Sequence, residues 1–226
     1  MYAESGEWAS THPGGERAPC VPGKLLSAVD QLTGVRTPPP GGKVLDFGCG
    51  HGRWLNALRP QGWETFGIDP AIKTAFARHA ELSDIPTAPC FQFVIASHVL
   101  EHLRNPGAIL DALGRATVAG GWIYLSVPNL DRLPEHGEWS YVLNGRVHIA
   151  AYSLDCLRVL LQHAGFGEPL AVTLPAEKRL GTRLRIVARR GDAGCRPAAP
   201  LTAALRAIEA HRRTWRLPQR YSEPAK

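Results

Sequence analysis

The segment Val44-Leu-Asp-Phe-Gly-Cys-Gly-His-Gly52 carries one acid, Asp46, and glycines at positions 48, 50 and 52. Glycine at alternate positions removes Cβ atoms where a chain must turn sharply and where a ligand comes close to the main chain. Asp69 follows 19 residues after Gly50, at the end of the next apolar run. At that separation a carboxylate on the tip of a second strand accepts hydrogen bonds from two ribose hydroxyls. The implied ligand is a nucleoside. Dinucleotide folds use G-x-G-x-x-G, and phosphate loops need Gly-Lys-Ser or Gly-Lys-Thr, whereas this loop reads D-x-G-x-G-x-G with His51 and no lysine. A phosphate cradle is therefore disfavoured.

A second group with chemical potential is His98, Glu101 and His102, spaced i, i+3, i+4, which would share one face if the segment is helical. His136 and His148 lie downstream, and any histidine near its ordinary pKa can remove a proton from a hydroxyl or phenol. Five cysteines (Cys20, Cys49, Cys90, Cys156, Cys195) stand at irregular spacing with no C-x-x-C pair, so reduced thiols are expected rather than a disulfide framework or a thiolate zinc site.

The elements that must position these groups follow from the apolar pattern. Leu25, Leu26, Val29 and Leu32 recur at helical spacing from Pro22 to about Leu32, ahead of the breaker Thr37–Gly42. Lys43–Phe47 then reads as strand, the glycines as loop, and Trp54, Leu55 and Leu58 as the buried face of a helix. Glu64–Asp69 is a second strand, and Phe91–Ser97, apolar almost throughout, is one covered on both faces. The segment ARHAEL, from Ala77, is the candidate for a third strand between them. Pro106–Ala116 is expected as helix and Gly120–Asn129 as strand. Ser153 caps a helix that runs to about Ala164 and closes at Gly165. Gly167–Leu174 and Arg183–Arg190 complete the strands. Such alternation predicts an α/β fold with a doubly wound, mainly parallel, Rossmann-like sheet.

At 226 residues, with 44% hydrophobic and 20% charged residues, the chain has material for one core and lacks the composition of a disordered or fibrous protein. It holds no apolar run of about 18 residues to span a bilayer, and the first twenty residues lack a basic segment followed by an apolar one. A cytoplasmic location without membrane association is expected. Charge is uneven. Residues 1–176 hold 13 basic and 16 acidic side chains, while residues 177–226 hold 13 basic and 4 acidic, a net +9. The last part includes a linker and the amphipathic stretch Leu201–Leu217, whose apolar side carries Leu201, Ala204, Leu205, Ile208 and Trp215.

The motifs VLDFGCGHG, GID at Gly67–Asp69, FVIASHVLEHL at Phe93–Leu103 and AGGWIYLSVPN at Ala119–Asn129 together resemble a class I S-adenosylmethionine-dependent methyltransferase, nearest the small-molecule branch. The resemblance covers about Lys43–Arg189. It divides the chain into an N-terminal arm and helix (1–36), an S-adenosylmethionine-binding domain (37–190) and a basic C-terminal linker and helix (191–226). It implies that Gly48, Gly50 and Gly52 approach the methionine and ribose of S-adenosylmethionine, with Asp46 near the methionine amine and Asp69 on the ribose. Pro70, Asp84 and Ile85 would flank the adenine, and Ala96, Ser97 and His98 would face the methionine end. Three departures from the family pattern bear on the adenine pocket: Gln92 stands for the usual Asp, Val118-Ala119 for Lys-Pro, and the third strand is short.

The function so implied is methyl transfer to a small-molecule acceptor, with oxygen the expected atom and S-adenosylhomocysteine the product. His148, in GRVHIAAYS, is the preferred base and His98 the second candidate. Residues 129–147 form an insertion where such enzymes place acceptor-binding lids, and Trp139 and Tyr141 could line the pocket. Some small-RNA and quinone-precursor methyltransferases carry a related Glu-x-x-Glu-His metal motif, in which His98 would take the first position and His148 a fourth. Metal-free relatives share H-V-L-E-H, with Glu101 and His102 fixing the loop, so no metal is assigned. Two alternatives remain: a nucleic-acid-directed methyltransferase using the basic tail, and a catalytically inactive methyltransferase-like binding protein. Against the first, the fourth strand is followed by SHVL and the body is mildly acidic, so no nucleic-acid partner is expected; the chain would act as a monomer or homodimer.

Overall fold

The computed structural model describes Val21 and residues 23–69, 77–78, 85–132, 148–174 and 183–191. Among them, seven strands form one sheet in the order β3-β2-β1-β4-β5-β7-β6. These are β1 (Lys43–Phe47), β2 (Glu64–Ile68), β3 (Ala77–Arg78), β4 (Phe91–Ser97), β5 (Thr117–Pro128), β6 (Leu170–Ala171) and β7 (Arg183–Arg189). The pairs from β3 to β5 are parallel, and β7 runs antiparallel to both β5 and β6. The helices are α1 (Gly23–Thr33), α2 (Arg53–Leu58), α3 (Pro106–Ala116) and α4 (Leu154–His163). The mainly parallel α/β sheet is thus as the sequence pattern requires.

Register assigns alternate residues to two faces, and each face has its own core. Val44, Phe93, Ile95, Tyr124 and Val187 share one cluster with Leu26 and Val29 of α1 and with Trp54 and Leu58 of α2. On the other face Leu45, Val94, Ile123, Leu125 and Ile186 pack with Leu110 and Leu113 of α3 and Leu157 and Leu161 of α4. A sheet covered on both sides needs apolar residues at every position of its central strands, which is why Phe91–Ser97 shows no alternation.

Local chemistry fixes the helix ends. The Asn105 side chain accepts from Ala108 N–H at 3.1 Å, with Pro106 opening α3. The Ser153 hydroxyl accepts from Cys156 N–H at 3.1 Å, and Gly165, at φ 83°, follows the end of α4.

Three expectations are adjusted. The third strand is present but only two residues long, pairing Gly67 with Ala77 and Ile68 with Arg78. The fifth begins at Thr117, three residues early, because register shifts between Phe91 and Phe93 and the added residues make an irregular ladder. The expected strand 167–174 reduces to Leu170–Ala171, an exposed edge preceded by Pro169, which has no N–H for a ladder. Among the described residues no helix is long and apolar enough to cross a membrane. The amphipathic stretch 201–217, the N-terminal arm and residues 133–147, with His136, Trp139 and Tyr141, lie outside the described residues.

The contact between α3 and α4 gives a test. A Cβ built on Gly114 would lie 2.2 Å from the Ala164 carbonyl oxygen, which belongs to backbone and cannot step aside. Alanine usually gains about 1 kcal/mol over glycine inside a helix. Here Gly114→Ala is expected to destabilise by about 1–3 kcal/mol, the usual cost of overpacking, as measured by denaturant unfolding.

Candidate functional site

β1 lies between β2 and β4, so connections leave it on both sides and a crevice opens beyond the carboxyl ends of these strands. The glycine turn fills the lip of that crevice. Gly48, Gly50 and Gly52 all adopt left-handed φ values of 76°, 51° and 74°, the region where side chains with a Cβ are strained. Gly48 has a second constraint: a Cβ there would sit 2.3 Å from Val99 Cγ2.

The turn is fastened to β2. Gly48 N–H and Cys49 N–H donate to the Ile68 carbonyl at 2.7 and 3.2 Å. Gly50 N–H donates to Asp69 Oδ2 at 2.8 Å. The acid expected on the ribose therefore also sets the shape of the loop. Asp46 lies at the end of β1, 2% exposed, and burial together with the charge of Asp69 pushes its carboxyl up to about 8. Cys49 Sγ lies in the same turn, and burial plus the two acids push its thiol up to about 12.

Of the residues expected around the adenine, Ile85 is buried at 3% exposure, while Pro70 and Asp84 lie outside the described residues. Gln92 has a structural task at the opposite end of β4, where its Oε1 accepts from Lys43 N–H at 2.7 Å. It is remote from the crevice. At the near end, Ala96 is buried, Ser97 half-buried, and His98 leaves the strand at φ 58°. His98 stands alone among the described non-glycine residues in taking a positive φ, a strain typical of functional sites.

That geometry alters the expected helical face. Residues 98–102 are not one helix; His98 is left-handed and only Leu100–His102 forms a 3-10 turn. His98 Nδ1 lies 3.1 Å from Glu101 Oε1, and its Nε2 lies 3.5 Å from Ser126 Oγ. Glu101 is fully buried, and its Oε2 has no hydrogen-bond partner. His102 and His148 also stand close to Glu101; their ring centroids are 4.8 Å apart, and single ligand atoms of all three residues lie within 4.8 Å of one another. Such a set of two imidazoles and a carboxylate is able to hold a divalent cation.

The supporting residues were not singled out in the sequence. Tyr152 Oη donates to the Leu100 carbonyl at 2.8 Å, and Ile149 N–H and Ala150 N–H both donate to the Glu101 carbonyl, at 2.9 and 3.2 Å. These bonds hold the segment carrying His148 against the 3-10 turn. Ser126 and Arg185, a buried register pair on β5 and β7, were likewise missed. An arginine inside an apolar strand run is the signal that could have marked that position.

A family model described as a methyltransferase domain matches residues 21–167. The ubiquinone biosynthesis O-methyltransferase of Paracidovorax citrulli is 30% identical over 109 residues, covering 41% of this chain and 46% of that protein. The mitochondrial enzyme of the same name from Rattus norvegicus is 28% identical over 162 residues, covering 63% and 45%. The chain thus spans about half the length of the curated relatives it matches. Among solved structures, the 1,6-didemethyltoxoflavin-N1-methyltransferase of Burkholderia thailandensis superposes with a TM-score of 0.56 at 19% identity, over 75% of this chain and 79% of that one. Human N-acetylserotonin methyltransferase, in complex with SAM, gives 0.57 at 19% identity, over 74% and 51%. These two likenesses bear on the fold, whereas the family match covers most of the chain. The glycine turn, the strand order and that match lead to one assignment: the chain belongs to the methyltransferase domain family and has its class I, Rossmann-like fold.

Proposed function

We propose that this chain is an S-adenosylmethionine-dependent methyltransferase that acts on a small-molecule acceptor, at oxygen. The observation that carries the cofactor is the acid pair Asp46 and Asp69 around a turn of left-handed glycines. Two carboxyls at one loop repel a pyrophosphate and suit a ligand with positive charge beside a ribose. A cradle without Cβ atoms leaves the main chain open to that ligand. S-adenosylmethionine meets both conditions, with a sulfonium, an ammonium and a ribose on one molecule.

When bound, the sulfonium supplies an already activated methyl group, so the protein's task is alignment and exclusion of water. Asp46 holds the amino end and Asp69 the ribose, while Ala96, Ser97 and His98 border the methyl. Of the two histidines expected to act as base, His98 is the better placed: its side chain is 31% exposed at the crevice, and Glu101 holds its Nδ1. That leaves Nε2 to receive the acceptor's proton. His148 is buried against His102. Oxygen as the methylated atom is favoured by the named relatives, both O-methyltransferases.

Release of S-adenosylhomocysteine from a panel of phenolic and hydroxylated acceptors tests the reaction, alongside calorimetric titration of S-adenosylmethionine. Asp69→Ala is expected to weaken cofactor binding by about 1–3 kcal/mol, the cost of unpairing such a group. An unchanged titration would remove Asp69 from the site.

The acid pair also fixes a pH dependence. Asp46 has a folded value of about 8 against 3.8 ordinarily, so its protonated form stabilises the ligand-free protein at low pH, and that contribution is lost as pH rises towards 8. A cationic ligand favours the ionised carboxylate. Cofactor affinity is therefore expected to rise, by up to about tenfold per pH unit, between about pH 6 and 7.5. Asp46→Asn should flatten the profile, and proton release measured in buffers of different ionisation enthalpy should vanish with it.

A further inference from the structure

The two acids of the glycine turn stand at one end of the crevice, and a buried guanidinium stands at the other. Register places it. Ser97 pairs with Ser126 and Ser126 with Arg185, so these three residues form one row across β4, β5 and β7. The neighbouring row on the same face, Ile95, Tyr124 and Val187, belongs to the core that α1 and α2 cover. Alternation turns Ser97, Ser126 and Arg185 to that face as well, one step nearer the carboxyl edge of β4 and β5. Asp46, which pairs with Ile95, faces the same way.

β7 lies three strands from β1, about 14 Å at the usual spacing. The Asp46 carboxyl is pushed up, the opposite of what an adjacent guanidinium does. Arg185 therefore belongs to the acceptor's side of the crevice and not to the donor's. His98 links the row to the chemistry: its N–H donates to the Ser126 carbonyl at 2.7 Å, and its Nε2 lies 3.5 Å from Ser126 Oγ. Residues directly opposite on paired strands stand about 5 Å apart at Cβ, so Arg185 is within the length of one small molecule of that histidine. Arg185 is 8% exposed, and no other arginine or lysine among the described residues is buried. It stays charged at any physiological pH, and five donors let it keep its interaction within the protein while offering a fork to a ligand.

We propose that Arg185 binds a carboxylate of the methyl acceptor, and that this acceptor is a phenolic acid whose hydroxyl is presented at His98. The inference rests on the methyltransferase reading and narrows its acceptor class. β4 and β7 are two strand spacings apart, about 10 Å, which suits one aromatic ring with a hydrogen bond at each end. The crevice then sorts its ligands by charge, a cationic donor over β1 and β2 and an anionic acceptor over β5 and β7, each repelled from the other's seat.

The test measures binding, so it needs no turnover. The full chain, saturated with S-adenosylhomocysteine, is titrated with 3- and 4-hydroxybenzoate and with their methyl esters. At least one acid is expected to bind about tenfold or more tightly than its ester, the usual gain from a hydrogen bond to a charged group. Arg185→Gln should remove that preference, weakening the acid about tenfold and the ester less than about twofold, at unchanged affinity for S-adenosylhomocysteine. Arg185→Lys, which keeps the charge without the fork, should retain part of the preference; it and the wild-type comparison decide the matter if Arg185→Gln does not fold. Equal or absent binding of acids and esters by the wild type, or an acid preference that survives in Arg185→Gln, would overturn the proposal. Wild type that prefers the acids through Arg185 yet binds no S-adenosyl compound would sink the cofactor reading and leave the anion site standing.

Discussion

The hydrogen bond from Gly50 N–H to Asp69 Oδ2, at 2.8 Å, ties the tip of β2 to the glycine turn that leaves β1. Through it the second acid of the site becomes a fixed part of the loop. Asp46 is brought beside it by strand register, Asp46 pairing with Gly67. Burial then removes the water that would screen the two charges, and the Asp46 carboxyl rises to about 8. The rest of the sheet can be understood as support for this pair. Trp54 of α2, immediately after the turn, packs tilted against Tyr124 with ring centroids 4.8 Å apart, so the loop is braced from the core as well as from β2.

The parts legible in the sequence were those governed by local rules. β1, α3 and the cap at Ser153 were readable because apolar runs, Asn-Pro and serine capping act within a few residues. Asp69 was readable because its spacing from the glycines is a property of the fold. His98 shows where that logic stops. Its left-handed backbone is imposed by tertiary bonds, its own N–H to the Ser126 carbonyl at 2.7 Å and its ring to Glu101; nothing in S-H-V-L predicts it. Burial of Glu101 is equally invisible, since glutamate is seldom fully buried unless paired.

The departures from the family pattern also take a physical meaning. Gln92, in place of an acid, accepts the Lys43 N–H where β1 starts, and so ties the two central strands at the end away from the site. Val118-Ala119 lies in the irregular start of β5, where a Cβ on Gly121 would meet Thr117 Cγ2 at 2.9 Å and Gln92 O at 3.0 Å. Both differences are confined to the amino-terminal edge of the sheet. The crevice at the carboxyl edge keeps its glycines and its acids.

Cys49 poses the opposite problem, because a thiolate in a loop proposed to bind an electrophilic methyl donor would be a competing nucleophile. Only the thiolate is reactive. Burial, Asp46 and Asp69 together push the Cys49 thiol up to about 12, and Sγ points to the Gly50 carbonyl at 3.7 Å, so the group stays protonated at neutral pH. The same negative field that favours a cationic ligand thus disarms the nucleophile nearest to it. A single electrostatic arrangement, two acids on one turn, explains both what the loop would bind and why the binding would be harmless to the protein.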